Sequence, residues 1–377
     1  MRLRRMLAVA RKEFIHVWRD PRALGVSIAL PLVLLLLFGY ALTLDVDRVP
    51  LAVWDQSRTV ESRELASRFE NSRYFSVVAH ARGYGEIEKA MDHNRILMGL
   101  VIPLDFGRRV GSGRDVQVQV LADGSDANTA TLAMGYAEAI VRGYSRDIQA
   151  ARIQRRGGRM PEQPLELRPR AWFNPDMESR IYIVPGLIAV IVMLIASLLT
   201  SLTIAREWET GTMEQLISTP VRGPELILGK LAPYFAIGIL DTVLSMLAGY
   251  VLFEVPLRGS LLLLASMSLL YIVGGLSMGI LVSTLAKGQL LASQMAFTAT
   301  FLPAFLLSGF MFDIENIPKA LQVVTYLVPA RYFITILRGI CLKGTGLPEL
   351  WPECLLLTAF GAAMLALSVL AFKKRLV

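Results

Sequence analysis

The residues of this 377-residue chain that could do chemistry are few, and their spacing does not suit catalysis. His80 and His93 stand apart, with no Cys or second His at the spacing a zinc site needs. Asp123 and Asp126 flank Gly124 like a piece of a calcium loop, but the closing Glu is missing, which favours a turn after a strand. "GPELILGKL" (Gly223–Leu231) imitates a phosphate loop, yet five residues separate its glycines and Leu231 stands where a Mg²⁺-binding hydroxyl is required. HExxH is absent. Cys341 and Cys354 are the only cysteines and belong to no motif, which favours two free thiols. The expectation is a non-enzyme with no metal, cofactor or nucleotide site of its own.

One titratable group stands out. Asp241 is the single charge in the 23-residue run from Leu231 to Phe253, where exposure to hydrocarbon would cost at least about 2.5–3.5 kcal/mol. Two roles fit: an interhelical hydrogen bond, or a polar group on a passage. No Lys, Arg or second acid in the other apolar runs accompanies it, which argues against a proton or ion relay.

The elements around Asp241 follow from the charge-free runs. There are 22 uncharged residues between Arg22 and Asp45, 25 between Arg180 and Arg206, 28 between Arg258 and Lys287, 25 between Lys287 and Asp313, and 19 between Glu353 and Lys373. With the Asp241 run they make six segments of the roughly 20 residues a bilayer core needs, and backbone in lipid must be helical. Spans are expected at 23–44, 179–205, 231–253, 259–286, 288–312 and 353–372. The first is too long for a signal peptide and lacks a small-x-small cleavage site. The formal charge of +8 lies entirely at the ends, +5 within residues 1–22 and +3 at Lys373, Lys374 and Arg375. That excludes a basic groove for nucleic acid and puts both termini on the cytoplasmic side.

Residues 45–178 hold 19 basic and 19 acidic side chains and read as an extracytoplasmic α/β domain. Strands are expected at Val49–Asp55, at "YFSVVAH", at Ile96–Pro103 and at Asp115–Asp123, where Val116, Val118 and Val120 share a face. Helices are expected at Ser62–Ser72, at "EIEKAMDH" and from Ala127 to Gln154. Arg155, Arg156 and Arg159 around Gly157 and Gly158 read as a solvated loop, before an extended "LELRPRAWF".

Residues 1–22 are amphipathic. Leu3, Leu7, Ala10, Phe14 and Val17 form one stripe, with Arg4, Arg5, Arg11, Lys12 and Arg19 off it and Trp18 at its edge. This suits a helix lying in the interface against anionic membrane lipids, ended by Pro21. On the cytoplasmic loop 206–230, Thr210 or Thr212 is expected to cap a short helix through Ile217, stopped by Thr219–Pro220. Between 313 and 349 the apolar pieces are short and broken by Pro318, Pro329, Arg331 and Arg338, so re-entrant or interfacial helices are expected. Gly275, Gly279 and Ser283 offer a small-residue face for close helix packing, within or between chains.

"REWETGTMEQLISTP" with "ILGKLAPYF", and "FLPAFLLSGFMFDIENIPKALQVVTYLVPARYFITILRGICLKG", resemble the two signatures of ABC-2 type (type-2 ABC exporter) permease subunits. An inserted domain after the first span is similar to the bacterial drug and small-molecule export branch. Asp313 and Arg331 depart from the pattern, where proline and threonine are common. The resemblance implies a polytopic α-helical inner-membrane protein exporting a hydrophobic or amphiphilic molecule. It implies that Glu207, Glu209, Gly211, Thr212, Glu214 and Gln215 dock a separate ATPase that binds ATP and Mg²⁺. It further implies a second permease, identical or paralogous, and a periplasmic adaptor leading to an outer-membrane channel. The alternatives are a membrane receptor with an outer sensing domain and an ion-coupled secondary transporter.

Overall fold

Proline at position 21 starts a helix rather than ending one. In the computed structural model α1 runs Leu3–Trp18 and α2 runs Pro21–Ala41, so Pro21 takes the first helical position, where its missing N–H costs nothing. The structure describes residues 3–41, 47–155, 172–174 and 178–372. The basic tail 373–377, the Arg156–Arg159 loop and most of "LELRPRAWF" lie outside the described residues. The chain divides into two compact units, Leu44–Pro169 and the remainder.

The Leu44–Pro169 unit is built on a four-stranded sheet. In chain order it contains β1 (Val49–Asp55), α3 (Val60–Glu70), β2 (Phe75–His80), α4 (Tyr84–Asp92), β3 (Met98–Ile102), α5 (Phe106–Ser112), β4 (Gln119–Ala122) and α6 (Ala127–Arg155). The strand order is β2-β1-β3-β4, with β1 parallel to β2 and β3, and β4 antiparallel to β3. Leu65 and Phe69 of α3, Phe106 and Val110 of α5 and Ala133, Ala137 and Tyr144 of α6 pack on one face; Ile87 of α4 packs on the other. Thr59 caps α3 through the Ser62 backbone N–H, and Asp55 accepts from the N–H groups of Ser57 and Arg58 and from the Ser62 hydroxyl. The strand expected over Asp115–Asp123 is paired only at Gln119–Ala122, because β3 is five residues long and gives the earlier residues no partner. Asp123 and Asp126 form local turns, accepting from the N–H groups of Ser125 and Thr129.

The other unit is a helical membrane assembly: α1, α2, α7 (Ser179–Glu209), α8 (Thr212–Ser218), α9 (Gly223–Leu252), α10 (Leu261–Ala286), α11 (Gln289–Leu306), α12 (Lys319–Thr325), α13 (Pro329–Arg338) and α14 (Leu347–Ala371). Among the described residues, α7, α9, α10, α11 and α14 are long and apolar enough to cross a bilayer. A sixth results if α12 and α13, bent by 81°, are counted together; Ser27–Ala41 of α2 is a shorter apolar helix. Helix ends differ from the apolar runs. α7 continues to Glu209 and α9 begins at Gly223, so most of 206–230 is helix, because lipid dictates where apolar residues stop and not where hydrogen bonding stops. The expected span to residue 312 ends at Leu306, before a turn at Gly309 with φ of +80°. Gly223–Leu231 forms the first turns of α9.

α7 is the core of this unit, buried along most of its length. Gly275 and Gly279 lie against it: a Cβ on Gly279 would collide with Thr200 Oγ1 and the Ser197 carbonyl oxygen. The small-residue face of α10 therefore packs within the chain. Ser283 Oγ accepts from the N–H groups of Ile204 and Ala205, and Tyr271 donates its hydroxyl to the Ala189 carbonyl while stacking on Phe333 of α13. Both departures from the signature are engaged: Tyr182 donates to Asp313 Oδ1, and the Arg331 guanidinium donates to Thr325 Oγ1 and lies over Tyr326. Cys341 and Cys354 are free and buried.

Candidate functional site

α8 is a two-turn helix fixed to the end of α7 by a tight turn. Gly211 holds φ of +73°, a left-handed conformation that an L side chain adopts only at a cost, and α8 starts there with no side-chain cap. The expected Thr cap is not formed. Thr210 Oγ1 instead donates to the Arg206 carbonyl, and Thr212 Oγ1 reaches the Glu207 carbonyl at 3.4 Å. Met213 is fully buried and anchors α8, leaving Gly211, Thr212, Glu214 and Gln215 exposed along its outer side.

Of the six residues expected to face a partner, Glu207 does not reach the surface. It is 7% exposed, and its Oε1 accepts from Lys12 Nζ and Lys230 Nζ, both at 2.9 Å. Lys230 Nζ also lies 2.8 Å from Glu13 Oε1. Two lysines and two glutamates therefore join α1, α7 and α9 in a cluster of zero net charge, which is how buried ions are tolerated. Burial draws the Lys12 ammonium pKa down, but the hydrogen bond and charge of Glu207 outweigh it and hold the pKa above its ordinary value. Glu209, the other acid of this stretch, is exposed and tied to α11. Its two carboxylate oxygens accept from the backbone N–H and the side-chain amide of Gln289, capping a helix whose own N-cap is Gly288.

The interfacial helix packs on α9 by a face other than its apolar stripe. Val9 and Glu13 are its buried residues, and Met6 and Val9 lie against Gly229 of α9, while Leu3, Leu7, Phe14 and Trp18 are exposed. In a membrane protein the apolar edge faces lipid and a different face packs on the protein. Arg4 and Arg11 are exposed, Arg5 donates to the Pro220 carbonyl at the exit of α8, and Lys12 is held by Glu207. Asp241 is apart from this constellation. It lies on α9 eleven residues beyond Lys230, about 16 Å along the axis, buried, and neither carboxylate oxygen has a partner among the described residues.

Glu13, His16, Lys230 and Gln289 were missed as site residues in the sequence. A weak signal existed for Glu13, an acid in a basic helix, and for Lys230, a charge at the start of an apolar run. Their pairing across 217 residues leaves no periodic trace.

The chain's likenesses follow the same assembly. Residues 22–370 match the family described as ABC-2 family transporter protein. The chain belongs to this family. It is 36% identical over 376 residues to a probable multidrug ABC transporter permease, YbhS of Escherichia coli K12, covering 99% of this chain and 98% of the relative. To YbhR of the same organism, named likewise, it is 30% identical, covering 96% and 98%. The inner membrane transport permease YhhJ is 27% identical over 86% of this chain and 85% of its own length. As an ABC-2 protein the chain is a transport permease subunit that works with an ABC ATPase subunit, in a membrane crossed by several of its helices.

Proposed function

We propose that this permease exports a hydrophobic or amphiphilic small molecule from a bacterial cytoplasm or inner leaflet, with α8 as the element that a separate ATPase pushes. The observation that carries this reading is the build of α8: an exposed outer side bearing Thr212, Glu214 and Gln215, a buried Met213, and direct continuity with α7. A load on that side passes into α7 through the Gly211 turn and into α11 through the Glu209–Gln289 contacts. Two permeases, identical or paralogous, would enclose the path between them, and ATP with Mg²⁺ would be bound by the ATPase.

On this reading six spans put both termini and α8 in the cytoplasm, and the sheet-containing unit lies outside, where it would meet a periplasmic adaptor leading to an outer-membrane channel. Arg4, Arg11 and Trp18 would rest in the cytoplasmic interface of the inner membrane. Asp241 is assigned to the path because its oxygens lack a donor among the described residues, leaving the substrate or the second permease to supply one. Copurification tests the whole: the tagged chain in mild detergent should bring down an ABC ATPase whose hydrolysis depends on the permease. An ATPase-free preparation, with no permease-dependent hydrolysis when its ATPase is added, would reject it.

A further inference from the structure

Two cavities of opposite character share a wall beside the ionic cluster. The polar one, of 520 Å³, is lined by Lys12, Glu13, Glu207, Thr212, Gln215 and Lys230 among others. The apolar one, of 250 Å³, is lined chiefly by Val17, Leu24, Leu30, Leu198, Leu199 and Ile237. His16, Thr203, Arg206 and Tyr234 line both. All three walls turn from polar to apolar in the same direction: α7 from Glu207 towards Ile195, α9 from Lys230 to Ile237, and the α1–α2 segment from Lys12 to Leu30. From Arg206 to Ile195 is eleven helical residues, about 16 Å, close to half of a hydrocarbon core of about 30 Å.

The charge is ordered as well. Lys12 and Lys230 are matched by Glu13 and Glu207, whereas Arg206, at the junction of the two cavities, forms no ion pair among the described residues and touches only His16 and Gln289. Asp20, on the apolar wall, has an interaction of its own. The described lining of the polar cavity therefore carries one cation in excess.

We infer that this pair of cavities is a site for one anionic phospholipid of the leaflet in which α8 lies, its phosphate on Arg206 and one acyl chain in the apolar slot. The lipid would fill the joint between α1, α2, α7 and α9, its headgroup beside Thr212 and Gln215 of α8. The inference needs only that α7 and α9 cross a bilayer with α1 beside them, and its test is run without an ATPase, so its failure is distinct from a failure of ATPase docking.

The test uses the full chain in phosphatidylcholine nanodiscs doped with phosphatidylglycerol, with the lipid retained after detergent exchange counted by mass spectrometry. Wild type should retain phosphatidylglycerol over phosphatidylcholine. Arg206→Gln should lower that retention about fivefold, and Arg206→Lys should keep it. Leu199→Trp, which fills the slot without touching a charge, should lower retention of both lipids, and excess inorganic phosphate or glycerol phosphate should displace neither. Retention unchanged in Leu199→Trp overturns the proposal whatever becomes of the Arg206 variants. Equal retention of the two lipids by wild type, or displacement by free phosphate, overturns it too.

Discussion

Lys12 and Lys230 donate to the same oxygen of Glu207 at the same distance, 2.9 Å, yet their removal should differ sharply. The Lys230 side chain is 1% exposed and bonds two carboxylates, whereas that of Lys12 is 55% exposed. Lys230→Ala strands Glu13 and Glu207 as buried charges with only Lys12 nearby, at a cost of about 3–5 kcal/mol. In Lys12→Ala, water replaces the lost ammonium and Lys230 still serves both acids, so the cost is about 0–1 kcal/mol. At about 2–4 °C per kcal/mol for a unit of this size, the two melting temperatures should differ by roughly 5–15 °C. The assay is thermal denaturation of the solubilised full chain, followed by tryptophan fluorescence. Adding Glu13→Gln to Lys230→Ala should recover part of the loss, since one stranded charge is then removed. Equal losses for the two lysine variants, or no recovery in the double variant, would refute a buried cluster governed by desolvation.

Three further outcomes follow. Glu214→Arg lies on an exposed side, so stability should change by less than about 0.5 kcal/mol while permease-dependent ATP hydrolysis and export fall by at least about tenfold; unchanged export would reject the assignment of α8. Gly279→Ala forces a Cβ against the Ser197 backbone and should cost about 1–3 kcal/mol in the same melting assay, whereas Gly111→Ala, with open space around it, should cost less. In the sheet-containing unit, burial pushes the Tyr144 phenol up to about 12 from an ordinary value of 10.0. The folded chain then keeps a proton that the unfolded chain releases, so the stabilisation is full below pH 10 and fades as pH rises towards 12. Tyr144→Phe should remove that alkaline loss from the pH profile of melting, and an unaltered profile would contradict the burial.

Much of the helical unit was legible because lipid imposes a length rule that survives in composition. The runs around Ile191 and Leu276 announce α7 and α10 without any contact being known. What the rule could not give is where a helix continues into water, as at Arg206–Glu209 and Gly223–Lys230, since charged residues there keep helical hydrogen bonds. The α1 stripe marks the face that avoids water, which lipid satisfies as well as protein does, and so it gave no sign of the face that packs on α9. In the sheet-containing unit β1 was plain from its apolar run. Short α5, "FGRRVGS", carries two glycines and little periodic signal and was not foreseen. Of the candidate site, the exposed residues of α8 could be marked on resemblance to a motif. The fate of Glu207 could not, because its partners are 195 residues before it and 23 after it.

The contact between Glu209 and Gln289 also bears on biogenesis. α11 follows Gly288, which has no side chain to receive its first N–H groups, and the acceptor comes from a residue 80 positions earlier. A helix leaving the ribosome at residue 289 thus finds its cap already synthesised, waiting at the end of α7. The Glu209 cap closes on it when the α10–α11 hairpin folds back over the turn at Lys287, where φ is +56°. The residue that caps α11 is therefore translated before the helix it caps.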